Sequence, residues 1–366
     1  MSARMNAFMK TTAEQVADAV LYEGYILYPY RPSALKNRQR WNFGGICPRA
    51  YSEAQKGSEL WRTQSDVLVH GSPAASAGTS LNIRVRFLHL VAREVARLER
   101  PVADFGECGE SAFAIVPSVK IGERVFHSWQ EAIEREVNVS EIELSSCEGK
   151  ETALAFHFPA SQAKEPLLDR DQIVAALIRS QRQLDGRVTV KSARVGDELF
   201  RVTVEVSNIT EVSPAGLLDR EQAMMHSLAS CHSILAVRGG EFVSLLDSPA
   251  EFAEGARECR NVGVYPVLVG AENERTTMLA SPVILYDYPA IAPESAGDLF
   301  DGTEIDEILT LRIMALTDEE KRELRQSDER ARRMLERIEA NPEQLMKLHG
   351  AVRAISPARG EGGGAA

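Results

Sequence analysis

The sequence predicts an α+β protein: an antiparallel, β-sandwich-like N-terminal half, then an α/β unit, then C-terminal helices. Three observations carry this expectation. Strict apolar/polar alternation dominates the first half, as in "SLNIRVRFLHL" and "LFRVTVEVSNIT", and a period of two belongs to half-buried antiparallel strands. After Val212, helical patterns and short apolar runs intermingle. The last stretch is densely charged, with apolar residues only at helical spacing. These changes of character divide the chain into an N-terminal helix and basic aromatic arm (1–55), a sandwich-like domain (56–210), an α/β or α+β domain (211–316) and a charged helical tail with a flexible end (317–366).

In the arm, Thr12 with Gln15 has the spacing of a capping box. Val16, Ala19, Val20 and Tyr22 follow at helical spacing. Pro29 and Pro32 interrupt regular structure, and Gly44-Gly45 suits a tight turn before Cys47 and Pro48. In the second segment, Ile83, Val85 and Phe87 oppose Arg84 and Arg86. Leu154, Phe156 and Phe158 oppose Ala155 and His157, and Phe200, Val202, Val204 and Val206 oppose Arg201, Thr203, Glu205 and Ser207. "GSPAASAGTS" joins two of these strands, and short helices are expected at 128–135 and 172–182.

In the third segment, "GLLDREQAMMHSLASCHS" has the pattern of a helix, followed by a strand pair turning at Gly239-Gly240. Ser248, Pro249 and Glu251 announce another helix. "VGVYPVLVG" and "TMLASPVILYDYP" are apolar runs of strand length. At the end, Thr303 with Asp306, Thr317 with Glu320, and Asn341 with Pro342 open three helices. The second carries a thin apolar seam of Leu324, Ala331, Met334, Leu335 and Ile338.

Composition narrows the function. With 42 Lys and Arg against 53 Asp and Glu, the net charge is -11, the wrong sign for a protein that coats nucleic acid by neutralising phosphates. General nucleic-acid binding is therefore not expected. The five cysteines are scattered without C-x-x-C, which suggests a reducing compartment. No run reaches the ~20 apolar residues of a spanning helix, so the expectation is a cytoplasmic protein without membrane insertion. Walker, dinucleotide-binding, nucleophile-elbow and zincin motifs are absent.

Three candidate sites remain. His226, Cys231 and His232, with Cys259 further on, offer imidazole and thiolate donors suited to zinc, nickel or iron. Burial of Cys231 as a small apolar packer is the competing reading. The acidic run Glu294, Asp298, Asp301, Glu304, Asp306 and Glu307 lacks the ligand spacing of an EF-hand, and its last members suit the first turn of a helix. Arg31, Lys36, Arg38 and Arg40, with Trp41 and Phe43 interleaved and Arg49 beyond, have the composition to stack and pair with single-stranded RNA. On an acidic chain, however, the expected role is a clasp that pairs with carboxylates of the protein itself or of a partner.

"LYPYRPSALKNRQRWNFGGICPRAY", "HSLASCHSILAVRGGEFVSLLD" and "SPVILYDYPAIAPESAGDLFDGTEIDEILTLRIMALTDEEKRE" resemble an uncharacterised bacterial family encoded beside high-affinity [NiFe]-hydrogenase genes. The resemblance implies a non-enzymatic accessory protein. Its role would be assembly, maturation or scaffolding, by binding a hydrogenase subunit or maturation factor, with no resident cofactor. It supplies no catalytic residues. The alternatives are a metal-dependent enzyme using His226, Cys231, His232 and Cys259, and a structural subunit of the mature hydrogenase.

Overall fold

The computed structural model describes residues 11–22, 44–71, 78–107, 113–212, 218–289, 316–327, 332, 335, 336, 339 and 340. Its helices are α1 (Thr12–Tyr22), α2 (Arg49–Ala54), α3 (Arg220–Met224), α4 (Ala253–Glu258) and α5 (Asp318–Ser327). The strands of the first half are β1 (Arg62–Gly71), β2 (Ser80–Val102), β3 (Phe113–Val116), β4 (Ser118–Ile121), β5 (Arg124–His127), β6 (Trp129–Glu143), β7 (Glu151–Phe158), β8 (Ser161–Asp169), β9 (Gln172–Gln181), β10 (Leu184–Gly196) and β11 (Leu199–Asn208). Four more follow: β12 (Ala229–Arg238), β13 (Gly240–Val243), β14 (Tyr265–Leu268) and β15 (Thr277–Ser281).

One sheet runs β13-β1-β11-β10-β7. The second runs β14-β15-β12-β2-β9-β8, with β6 and β3 also paired to β2; β4 and β5 pair separately. Every strand pair is antiparallel. This overturns the α+β expectation, because the described residues form a β-rich, mostly antiparallel fold. The segment expected as an α/β unit contributes β12 and β13 to the two sheets instead, pairing β2 and β1 respectively. Its helices α3 and α4 span five and six residues, too little to form a layer.

Two other local expectations fail for related reasons. Residues 128–135 and 172–182 lie in strands β6 and β9, both hydrogen-bonded along β2. β9 buries Ala175 and Leu177 on one face and Ala176 and Ile178 on the other, so it lacks the alternation that marks a half-exposed strand. β12 and β13 do not pair with each other; at Gly239 the chain passes from the second sheet to the first. In α1 the capping box is Thr11 with Glu14 (Thr11 N to Glu14 Oε2 3.0 Å, Glu14 N to Thr11 Oγ1 3.3 Å), one residue earlier than expected. Thr317 and Glu320 do cap α5, at 2.8 and 3.3 Å. The helices expected at Thr303 and Asn341 lie outside the described residues.

The core fills the space between the sheets. Val67, Val69, Val188, Val190, Phe200, Val202, Val204, Val206 and Phe242 face Leu81, Ile83, Val85, Phe87, Cys231, Leu235, Val237, Met278 and Ala280. Gly186 permits the aromatic closure of this core, since a Cβ there would come within 2.0 Å of the Phe156 ring. Behind the second sheet, α1 packs Val16, Ala17 and Val20 on Ile234, Val267 and Leu279. Arg84 to Glu14 (3.2 Å) and Arg86 to Asp18 (2.7 Å) anchor it.

β2 runs on past the first sheet. Its core-facing row continues as His89, Val91, Arg93 and Val95, with Arg135 and Glu131 of β6 and Gln181 and Arg179 of β9 on the same face by register. Glu131 bridges Arg93 (3.2 Å) and Arg179 (2.8 Å), and Arg179 also holds Glu165 at 2.6 Å. Beyond this charged seam, Val95, Leu167 and Leu177 form a second small core under Val119, Ile121 and Phe126 of β4 and β5.

Candidate polar groove on the outer sheet face

Because side chains alternate along a strand, burying Val67, Val188 and Val204 inward turns their neighbours outward. The registers set these into three rows across β1, β11, β10 and β7: Arg62–Ser207–Arg187–Ala155, Gln64–Glu205–Thr189–Ala153, and Asp66–Thr203–Lys191–Glu151. Trp61, Arg49 and Glu53 of α2, and residues 208–212 wall this face into an open groove of about 900 Å³.

The walls are fixed by buried hydrogen bonds. Asn208 Nδ2 donates to the carbonyls of Ile46 (2.9 Å) and His226 (2.7 Å), and its Oδ1 accepts from Thr210 N at 2.9 Å. Gly44 starts the segment leading to α2 with φ +59, where a Cβ would meet Pro282 at 2.3 Å. Gly44 thus lets the chain pass close to Pro282 on its way to α2.

Four cations (Arg49, Arg62, Arg187, Lys191) and four carboxylates (Glu53, Glu151, Glu205, Glu211) line the groove. It is locally balanced on a chain of net charge -11. Arg62 pairs with Glu205 at 2.6 Å, Lys191 with Glu151 at 3.0 Å and Arg49 with Glu53 at 2.7 Å. The Arg49 and Arg62 guanidiniums also stack on the Trp61 ring, 4.9 and 5.2 Å from its centroid. Arg187 is exposed and has no ion pair among the described residues. Such a face offers directional polar contacts with both signs of charge, and suits a polar partner surface better than an apolar ligand.

The residues expected to bind metal occupy separate surroundings. The expected helix stops at Met224, leaving His226 in the turn before β12, where its Nδ1 lies 3.1 Å from Gln183 O. Burial, with Arg182 adding to it, lowers its pKa. Cys231 packs between the sheets, and burial raises its thiol pKa. His232 turns to the other face, towards Arg86 and Asp18, its pKa lowered to about 4 chiefly by burial. Cys259 lies across the first sheet with Leu68, Leu199 and Phe252; burial, then Asp66, pushes its pKa up to about 11. Cys231 and Cys259 thus sit on opposite sides of one sheet. Among the described residues no group of three or more His, Cys, Asp or Glu side chains is placed to hold a metal.

Arg31, Lys36, Arg38, Arg40, Trp41 and Phe43, and the acidic run from Glu294 to Glu307, lie outside the described residues. Of the basic stretch, Arg49 is described and lines the groove. Sequence reasoning missed Trp61, Arg62, Arg187 and Lys191. For Arg62, Arg187 and Lys191 the only signal was membership of the polar half of period-two strands, which every solvent-facing strand shows, and Trp61, just before β1, had none. Among the described residues no helix is long and apolar enough to cross a membrane. No protein-family model matches the chain, and no curated protein matches it.

Proposed function

We propose that this chain is a non-catalytic, cytoplasmic accessory protein that binds a subunit or maturation factor of a [NiFe] hydrogenase through the polar groove. The observation that carries the binding role is the set of three polar rows on the outer face of β1, β11, β10 and β7, whose first row holds Arg187, without an ion pair among the described residues. A rigid two-sheet core holds these side chains, so little order has to be imposed when a partner docks. The identity of the partner rests on the family resemblance alone.

The experiment combines gene deletion with complementation. Loss of the gene should reduce hydrogen uptake or leave the large subunit unprocessed. Wild type should restore both, and Arg62→Glu with Arg187→Glu should not, despite normal folding. Unchanged uptake and processing in the deletion strain would reject the hydrogenase reading. Full complementation by the double variant would reject the groove. Fixed-stoichiometry co-purification with active hydrogenase would instead mark a structural subunit.

A further inference from the structure

The open edge of β7 borders the groove, and its chemistry differs from that of the other outer strands. Among the described residues β7 pairs only with β10, so one row of its backbone N–H and C=O groups faces outward. Natural sheets blunt such edges with charges, prolines, bulges or very short strands. β8 carries Lys164, Glu165 and Pro166 and a bulge at Leu167/Leu168. β6 is rich in glutamate and is bulged opposite Leu81/Ile83. β13 and β14 have four residues each, with Pro266 in the latter. β7 carries none of these devices from Thr152 to Phe158, "TALAFHF". Its inward side leaves Leu154 37% exposed.

We propose that β7 receives an extended segment of a partner protein as the next strand of the first sheet. The segment would alternate apolar residues, flanking Leu154 on the inward side, with polar ones on the groove side, including a carboxylate opposite Ala155. That carboxylate follows from Arg187. Arg187 stands directly across from Ala155 in the register, and the small alanine leaves its guanidinium a clear path outward. The added strand would lie two strand spacings from β10, about 10 Å, a gap that an arginine and a glutamate side chain span together. Opposite Glu151 the same strand would carry a cation. A second copy of this chain fits less well. Antiparallel β7 pairing centred on Leu154 sets Glu151 against His157 of the other copy, yet brings Ala153 to Ala155 and leaves Arg187 unpaired. Strand addition draws affinity from main-chain hydrogen bonds and specificity from alternate side chains.

This deepens the groove reading and rests on it only in taking the ligand to be a protein. The test uses the full chain with the synthetic peptide TVEVTVK, whose glutamate falls opposite Ala155 in antiparallel register, and with TVKVTVK as control. The first peptide should slow amide exchange in residues 152–158, and Arg187→Glu should reverse the preference by about tenfold in each direction, as for a charge pair at an interface. Leu154→Lys, an inward charge on the edge, should abolish binding of both peptides while exchange in β1 and β11 stays unchanged. Unprotected β7 amides, equal binding of both peptides by wild type, or a stable dimer of the chain alone with β7 already protected would each overturn the proposal. Failure here with a groove variant that still loses its hydrogenase partner would remove the strand addition and leave the groove.

Discussion

The two halves of β2 show how one strand changes chemistry when the layer above it ends. From Leu81 to Phe87 the strand lies under the first sheet, and its inward side chains are aliphatic or aromatic and fully buried. From His89 onward the same row holds His89, Val91 and Arg93 before reaching Val95 in the smaller core. Beyond Phe156 and Phe158, which close the sandwich, the partner layer narrows to the β4–β5 pair. Arg179 and Glu131 are partly exposed there, while His89 and Arg93 stay buried. The first half therefore supplies cohesion, and the second tolerates polar groups at a cost in stability.

The largest expected effect breaks the first half. Phe87 is fully buried and contacts Phe156 and Phe158, with ring centroids 5.9 and 6.0 Å away. Phe87→Ala should cost about 3–5 kcal/mol. Val95→Ala, eight positions along the same row in the smaller core, removes two methyl groups and should cost about 2 kcal/mol. Urea midpoints of the two variants measure the contrast, and equal losses would refute the division of labour between the halves.

Acid should act on the second half. Neither nitrogen of His89 has a hydrogen-bond partner of good geometry, and the side chain is fully buried. Burial, then the Arg135 guanidinium on β6, and more weakly His226 before β12, hold its pKa down to about 4, against which the Arg182 backbone acts. Between pH 6.5 and 4 the unfolded chain therefore binds a proton that the folded chain refuses, so stability falls as pH falls through that window. The shift corresponds to about 3 kcal/mol for full titration. His232, buried behind β12 and facing Arg86 and Asp18, titrates in the same direction. Urea denaturation from pH 7.5 to 5 should show the loss, and His89→Leu should flatten part of it. A wild-type curve independent of pH over this range would contradict the assignment.

A smaller effect is expected in the seam itself. Glu131 compensates Arg93, which is 7% exposed, and Arg179 at once. Glu131→Gln should cost about 2–3 kcal/mol by removing a carboxylate that compensates buried Arg93. The joint change Arg93→Met with Glu131→Leu should cost less than Glu131→Gln alone, because both charges then leave together. If the joint change is the more damaging, the seam is a net stabilising network rather than a tolerated one.

The same contrast explains what the sequence disclosed. Alternation is plain in β2 up to Phe87 and in β11, where one face meets an apolar layer and the other meets water. It fails in β6, where Glu131 and Arg135 take inward positions and the i, i+4 charges imitate a helix. It fails again in β9, where both faces are covered. No local pattern could show that β12 leaves a short helix to join β2 through a left-handed Ser230 (φ 51), because that strand is decided by long-range pairing. The groove was hidden for another reason. Its floor is made of ordinary solvent-facing strand residues, and only the register lines Arg62, Ser207 and Arg187 up across three strands.

The smallest effect on stability should accompany a large effect on binding, and it is expected at Arg187. The side chain is exposed and has no ion pair among the described residues, so Arg187→Glu should change stability by no more than about 0.5 kcal/mol. Lys191→Glu removes the pair with Glu151 and sets two carboxylates opposite each other. It should cost slightly more, about 0.5–1 kcal/mol, since both partners are half exposed and well screened. A partner held by the groove should nevertheless bind Arg187→Glu about tenfold more weakly, with the loss shrinking as salt rises. Thermal denaturation and co-purification of the same preparations separate the two readouts. An Arg187→Glu protein that melts several degrees lower would place the guanidinium in the architecture of the sheet. One that melts normally and binds normally would leave the row of Arg62, Ser207 and Arg187 as plain solvent-facing surface.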